Sequence, residues 1–294
     1  MSAILETANA KINLSLKVLG KRADGYHLLE SLVVFADIAD RLTCREADHL
    51  SLELSGPFAS ALGSDGSSNL VLEAAKSFAA EMGRQPDLAF TLEKNLPVAS
   101  GIGGGSADAA AAIRTMVRLW GDPDCTLQSL ALSLGADVPV CLRKKPSIMS
   151  GIGEQLTPLR SLPDMDAVLV NPGVRVSTGA VFKTLRAEPI SQPEAMSSVL
   201  TTNAPAFTDK EGVLTYLAAN GNDLETPARK LEPQIDKVLE RIAETPGCRL
   251  ARMSGSGATC FGLYDNPFDA AEAASVLKKA APDWWVVATI FKGV

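Results

Sequence analysis

The chain is poor in the residues that build metal centres and disulfide frameworks. It has two histidines, His27 and His49, and five cysteines, Cys44, Cys125, Cys141, Cys248 and Cys260. No two cysteines form a C-x-x-C pair, and an odd number suits reduced thiols acting as small buried hydrophobes. Two distant histidines and scattered cysteines argue against a zinc or iron site, so no protein-held metal is expected. Positive charge is also short: 28 Lys and Arg against 34 Asp and Glu give −6. Such a chain lacks the electrostatic footprint for nucleic acid or an anionic membrane. Phosphate ligands stay open, because they need only local positive potential. No apolar run is long enough to span a bilayer, and the first residues lack the basic and apolar regions of a signal peptide. The expectation is a cytoplasmic protein, a monomer or weak homodimer. With 294 residues, 46% of them hydrophobic, there is material for one large domain or two packed ones.

What is present reads as interspersed strands and helices. Ile12, Leu14, Leu16 and Val18 alternate with Lys11, Asn13, Ser15 and Lys17, so Lys11 and Asn13 share the polar face of a strand. A turn-rich stretch, 20–27, precedes a strand over 28–35, and the leucines at 50, 52 and 54 mark another. Asn69 caps a helix over 70–82 that Gly83 ends, and 88–92 alternates as a strand. Helices are predicted over 107–120, 127–134, 178–185, 232–244 and 268–281. Strand-like segments follow Asp137, and further strands are predicted over 167–170, 250–253, 258–264 and 285–290. Residues 158–164 are the candidate boundary, dividing 1–158 from 159–294, and 188–209 is a Pro/Ser/Thr-rich connection. Without a steady β-α rhythm, this argues for an α+β fold rather than a doubly wound sheet.

The densest signal is Pro97-Val98-Ala99-Ser100-Gly101-Ile102-Gly103-Gly104-Gly105-Ser106-Ala107, lying between a strand and an alanine-rich helix. Helix N-termini carry unpaired N–H groups and partial positive charge, and they bind anions. The glycines remove side chains that would block a phosphate. Ser106 either caps the helix or offers a hydroxyl to phosphate or Mg²⁺. A Walker A loop needs a Gly-Lys-Ser/Thr that is missing here. A Rossmann fingerprint needs a glycine where Ser106 stands.

The stretch 96–110 resembles the phosphate loop of the GHMP kinases. Ala8–Leu16, Arg22–Ser31, Leu134–Val140, Asn222–Glu225 and Met253–Thr259 are similar, in order, to segments of the members whose acceptor carries a cytidine diphosphate. The resemblance implies an N-terminal domain like ribosomal protein S5 and a C-terminal ferredoxin-like domain, with the site between them. It implies transfer of the ATP γ-phosphate, with Mg²⁺, to the 2-hydroxyl of 4-diphosphocytidyl-2-C-methyl-D-erythritol, in the non-mevalonate route to isoprenoids. A GHMP kinase acting on mevalonate or homoserine is the alternative, and Asp24-Gly-Tyr-His27 argues against it because those acceptors carry no base. A nucleotide-binding protein without catalysis has no need of Lys11 and Asp137, and both are present.

By this resemblance Asp137 is the catalytic base and Lys11 the active-site cation. Read without it, Asp137 is a turn aspartate and Lys11 a solvated strand lysine. Asn13 bonds the substrate or holds Lys11. Tyr26 and His27 recognise cytosine by stacking and hydrogen bonding, or are loop residues. Phe182 is the opposite stacking face or the core side of a short helix. Thr178 touches substrate or caps that helix. Ser254–Gly257 lines the phosphate site or is a hairpin turn. Where the family usually has glycines this chain has Ala99 and Ser100, at a cost in backbone freedom. Ala107 replaces a frequent serine and offers phosphate no hydroxyl.

Overall fold

A computed structural model describes residues 3–62, 69–123, 127–189 and 205–294. Cys125 and most of the 188–209 connection lie outside them. The chain forms two compact units. The first comprises Met1–Lys11, Ile38–Val98 and Gly103–Lys144, the second Ile12–Asp37, Ala99–Ile102 and Lys145–Val294. The chain passes from one to the other within β1 (Ile4–Asn13), within β3 (His27–Glu46), on both sides of Ala99–Ile102 and between Lys144 and Lys145.

In the first unit the end of β3 pairs antiparallel with β5 (Leu88–Glu93), Arg41 opposite Glu93 and Glu46 opposite Leu88. β4 (Ser51–Ser55) adds to β5 in parallel. A parallel neighbour requires a crossover, and α1 (Leu70–Glu81) provides it. Asn69 caps α1 by accepting the Val71 N–H at 2.9 Å, as its position predicts. The second helix, α2 (Gly104–Trp120), packs on α1. Its Ala109–Ala112 and Ile113 are fully buried, so this stretch is enclosed on every side, and short alanine side chains let neighbouring elements approach closely.

Two expectations change here. β3 is 20 residues long, not 28–35. Acidic Asp37 and Asp40 interrupt its apolar pattern, yet Asp40 is fully buried because hydrogen bonds satisfy its carboxylate. The residues after Asp137 form a helix, α4 (Val138–Arg143), following α3 (Leu127–Leu134). Val138 and Val140 favour a strand, but Pro139 has no N–H to give a ladder and fits the first turn of a helix.

In the second unit the start of β3 pairs with β2 (Lys17–Lys21) and with β6 (Ser147–Gly151), which forms a hairpin with β7 (Gln155–Pro158). The strand order continues β3-β11-β8-β10-β9, all antiparallel, with β8 Met165–Asn171, β9 Leu250–Met253, β10 Cys260–Tyr264 and β11 Trp285–Phe291. Every residue of β8 and β10 is buried, as central strands covered by helices must be.

Among the described residues the remaining α-helices are α5 (Thr178–Leu185), α6 (Lys210–Ala219), α7 (Glu225–Leu231), α8 (Gln234–Ala243) and α9 (Pro267–Ala280). Ile235, Val238, Leu239 and Ile242, at helical spacing, join Val168, Val170 and Leu277 in one buried cluster. The expected single helix over 232–244 starts only at Gln234. Pro233 stands at its N-cap and separates it from α7, where proline suits a helix start and not an interior. The strand expected from Ala258 begins at Cys260, and α6 was not foreseen. Among the described residues no helix is long and apolar enough to cross a membrane.

Candidate active site

Lys11 lies on β1 and is 3% exposed, a costly place for a cation without a partner. Its Nζ pairs with Asp137 Oδ2 at 2.9 Å. Asp137 occupies the N-cap of α4, but its side chain makes no capping bond. The carboxylate is one-third exposed, so it faces both the cation and solvent. The family resemblance brought these two residues to notice, where strand and turn alone read as a solvated lysine and a turn aspartate; the fold sets them in contact.

The glycine loop ends on Lys11. Gly103 caps α2 with φ +66°, in the left-handed region. A Cβ at 103 would lie 3.2 Å from Lys11 Cβ and Cε and 3.8 Å from Cys141 Sγ. The position therefore requires glycine for its backbone and for its space. The first intrahelical bond runs from Ala107 N–H to Gly103 C=O at 2.8 Å, leaving the amides of Gly104, Gly105 and Ser106 without helical acceptors. The first turn of α2 holds no acidic residue to oppose an anion. The helix starts three residues before the expected 107, and Ser106 sits inside its first turn. Ser106 is therefore not the cap.

Beneath Gly104 is a cluster the sequence did not disclose. Lys94 Nζ pairs with Asp108 Oδ2 at 2.7 Å and with Asp40, all three side chains buried. Asp40 Oδ1 also accepts the Asn95 and Leu96 N–H groups at 2.6 and 2.8 Å, fixing the chain just before Pro97. Burial acts to lower the Lys94 pKa, but Asp108 and Asp40 outweigh it and the shift is upward. Burial and Asp40 raise the Asp108 carboxyl to about 7, against the pull of Lys94. One signal was available: Lys94 is a charge directly after an apolar strand that leads into the glycine loop.

In the second unit the loop apex, Ala99–Ile102, packs against the turn between β9 and β10. Ser254 Oγ donates to Gly101 C=O at 3.1 Å and accepts the Asn13 N–H at 3.1 Å. Thr259 N–H donates to Ser100 C=O at 3.1 Å. A Cβ on Gly101 would fall 2.7 Å from the carbonyls of Ser254 and Gly257, and one on Gly255 2.8 Å from Gly101 C=O. The turn at 254–257 is thus both a strand connection and a backbone wall for the loop. Ala99 has φ +52°, so the departure from glycine costs strain there, of about 1 kcal/mol. Ser100 is not in the left-handed region and carries no such cost.

Asn222 Nδ2 donates to Met253 and Gly255 C=O, both at 2.8 Å, and Glu225 Oε2 accepts the Met253 N–H at 2.9 Å. The segment 222–225 therefore supports the same turn. Asn13 Nδ2 donates to Ser31 Oγ at 2.7 Å, so this amide is engaged within its own unit.

The residues expected to meet a base also lie in the second unit. The rings of His27 and Phe182 stack with centroids 4.5 Å apart and 24° between planes. Phe182 also packs against the core cluster, as its reading as the core side of a short helix expects. Burial and Lys21 lower the His27 pKa, keeping the ring neutral at neutral pH. Tyr26 is 57% exposed, on a hairpin whose turn Asp24 shapes by accepting the Tyr26 N–H at 3.2 Å. Thr178 does not cap α5; Ser177 does, and Thr178 Oγ1 bonds Ser256 Oγ at 2.8 Å.

Residues 69–145 match the model for the N-terminal domain of GHMP kinases, and residues 204–283 match the model for their C-terminal domain. The chain belongs to the GHMP kinase family: it is an α+β small-molecule kinase, with ATP as co-substrate. Its similarity to particular members is higher still. It is 53% identical over 285 residues to 4-diphosphocytidyl-2-C-methyl-D-erythritol kinase of Parvibaculum lavamentivorans, covering 96% of each chain. It is 50% identical to the enzyme of that name from Dinoroseobacter shibae, covering 97% of this chain and 94% of that one. A crystal structure of 4-(cytidine 5'-diphospho)-2C-methyl-D-erythritol kinase matches with a TM-score of 0.77 and 34% identity, covering 99% of this chain and all of the other. A homoserine kinase from Cytophaga hutchinsonii, 18% identical with a TM-score of 0.71, shares the fold.

Proposed function

We propose that this kinase transfers the γ-phosphoryl group of ATP to the 2-hydroxyl of 4-diphosphocytidyl-2-C-methyl-D-erythritol, giving the 2-phosphate and ADP on the non-mevalonate route to isopentenyl diphosphate. The observation that carries the chemistry is the Lys11–Asp137 pair at 2.9 Å, against the Gly103 start of α2. The relatives' names, at about half identity over nearly the whole chain, carry the acceptor.

In this mechanism the amides of Gly104, Gly105 and Ser106 hold the phosphates through charge and hydrogen bonds. The rest of the loop, from Pro97 to Ile102 and on to Ala107, shapes that cradle. Asp137 takes the proton of the acceptor hydroxyl as its oxygen bonds the γ-phosphorus and the bond to the β-phosphate oxygen breaks. Lys11 orients the carboxylate and stabilises the negative charge that develops on the acceptor oxygen. Mg²⁺ bound with ATP would offset phosphate charge, and the Ser106 hydroxyl is a hard oxygen donor suited to it. His27 and Phe182 form the aromatic platform for cytosine, with Tyr26 beside them on the hairpin and Asn13 and Thr178 as polar contacts. The division at 158/159 belongs to the same reading and falls between the two family matches, which end at 145 and begin at 204. So does a cytoplasmic enzyme, monomeric or weakly dimeric, with no nucleic-acid or membrane partner.

ADP release, measured with the cytidine-linked acceptor, mevalonate and homoserine in parallel, tests the acceptor. Turnover with another alcohol and none with the cytidine compound overturns it. Asp137→Ala is expected to abolish turnover while ATP still binds; substantial residual turnover removes Asp137 as the base.

A further inference from the structure

The contact between Lys11 and Asp137 joins two elements that are distant in sequence, and neither element fixes the other by itself. A single side chain bonds to both. Arg114 lies on α2, ten residues beyond its start, or about 15 Å along the helix. Its Nη2 donates to Thr7 C=O at 2.9 Å, on β1 four residues before Lys11. Its Nη1 donates to Cys141 C=O at 2.9 Å, on α4 four residues after Asp137. That carbonyl is among the last four of its helix, which lack intrahelical donors and favour a cation. Its Nε pairs with Glu6 Oε2 at 3.1 Å, and Glu6 Oε1 accepts from Arg118 Nη1 at 2.9 Å, so the guanidinium plane is set from a third direction. A further tie, Lys144 Nζ to Thr7 Oγ1 at 2.8 Å, joins the end of α4 to β1 again. All of these groups lie within the first unit.

We infer that Arg114 is the positioning residue that sets the Lys11–Asp137 geometry against the phosphate end of α2. The inference rests on the catalytic reading of that pair and goes beyond it. Arg114 acts through the Thr7 and Cys141 carbonyls. It holds the strand that carries the cation, the helix that carries the base, and it belongs to the helix whose first amides face phosphate. Three donors on one plane do this; an ammonium is a point donor and cannot span both carbonyls and Glu6.

The test compares Arg114→Lys, Arg114→Ala, Asp137→Ala and Arg118→Ala by ADP release. Misplacement of catalytic groups by about 1 Å costs on the order of 10²-fold, so Arg114→Lys is expected to lose about 10- to 100-fold in kcat. The KM for ATP is expected to stay within about twofold, since the α2 amides are untouched. Added methylguanidinium is expected to restore part of the kcat of Arg114→Ala and none in Asp137→Ala. Arg118→Ala, which spares both carbonyl bonds, is expected to keep its kcat. A folded Arg114→Lys with unchanged kcat overturns the inference. So does a fall in kcat accompanied by equal loss of ATP affinity and no rescue, the pattern of general destabilisation. Should neither Arg114 variant fold, Glu6→Gln carries the test: a lower kcat at unchanged ATP KM supports it, and an unchanged kcat overturns it. If Asp137→Ala retains turnover, the catalytic reading itself has failed, whatever Arg114 does.

Discussion

Replacing Gly103 by alanine separates what the glycine loop requires of its backbone from what it requires of its space. Gly103 has φ +66° and Gly83, at the end of α1, has φ +60°. For either, a left-handed alanine costs about 1–2 kcal/mol, offset by about 0.4–1 kcal/mol from the stiffer unfolded chain. Gly83 has nothing within 4 Å of its missing Cβ, so Gly83→Ala is expected to lose about 0.5–1 kcal/mol and no activity. At Gly103 the new methyl meets Lys11 Cβ and Cε at 3.2 Å, and one of them must yield by a few tenths of an ångström. Lys11 is buried and has no easy way out. Overpacking adds about 1–3 kcal/mol, for a total of about 2–4 kcal/mol. The strain falls on the residue that orients Asp137, so kcat is expected to drop on the order of tenfold or more. Thermal melts and ADP-release kinetics on both variants measure the difference. If Gly103→Ala keeps the kcat of Gly83→Ala, the contact between loop and lysine does not set the chemistry.

Two further predictions concern residues outside the Lys11–Asp137 pair. Asp108, raised from 3.8 to about 7, keeps its proton in the folded chain where the unfolded chain has lost it. Its contribution to stability therefore falls as pH rises across that window. Urea melts of the parent and Asp108→Asn from pH 4 to pH 8 are expected to diverge in that sense, and parallel curves would falsify the assignment. Phe182→Ala removes one ring of the stacked pair; base–aromatic stacking of about 1–3 kcal/mol predicts an acceptor KM raised roughly tenfold, with the ATP KM unchanged. An unaltered acceptor KM would take Phe182 out of base recognition.

Much of the fold was legible because local signals carried it. Asn69 and Gly83 bracket α1 where their side chain and backbone freedom said they would, and β5 alternates as read. Misreadings came where long-range partners override local pattern. Asp40 interrupts β3 on paper, but Lys94 and two backbone amides make it a buried strand residue. Val138 and Val140 suggested a strand until Pro139 and the pairing of Asp137 with Lys11 set the helix. Ser106 and Thr178 looked like caps, and Gly103 and Ser177 take those positions.

The sequence alone determined the chemistry on offer: glycines before an alanine-rich helix, a strand lysine, an aspartate after a short helix, an aromatic hairpin. Those follow from residue type and spacing, which act over a few residues. Only the tertiary structure decided which of them meet. Lys11 and Asp137 are 126 positions apart, and no local preference brings a strand and a helix start to 2.9 Å. That distance comes from packing, from Gly103 with no side chain to intervene and from Arg114 gripping both elements by their carbonyls. Burial then makes the arrangement strict, because a cation withdrawn from water must keep its partner.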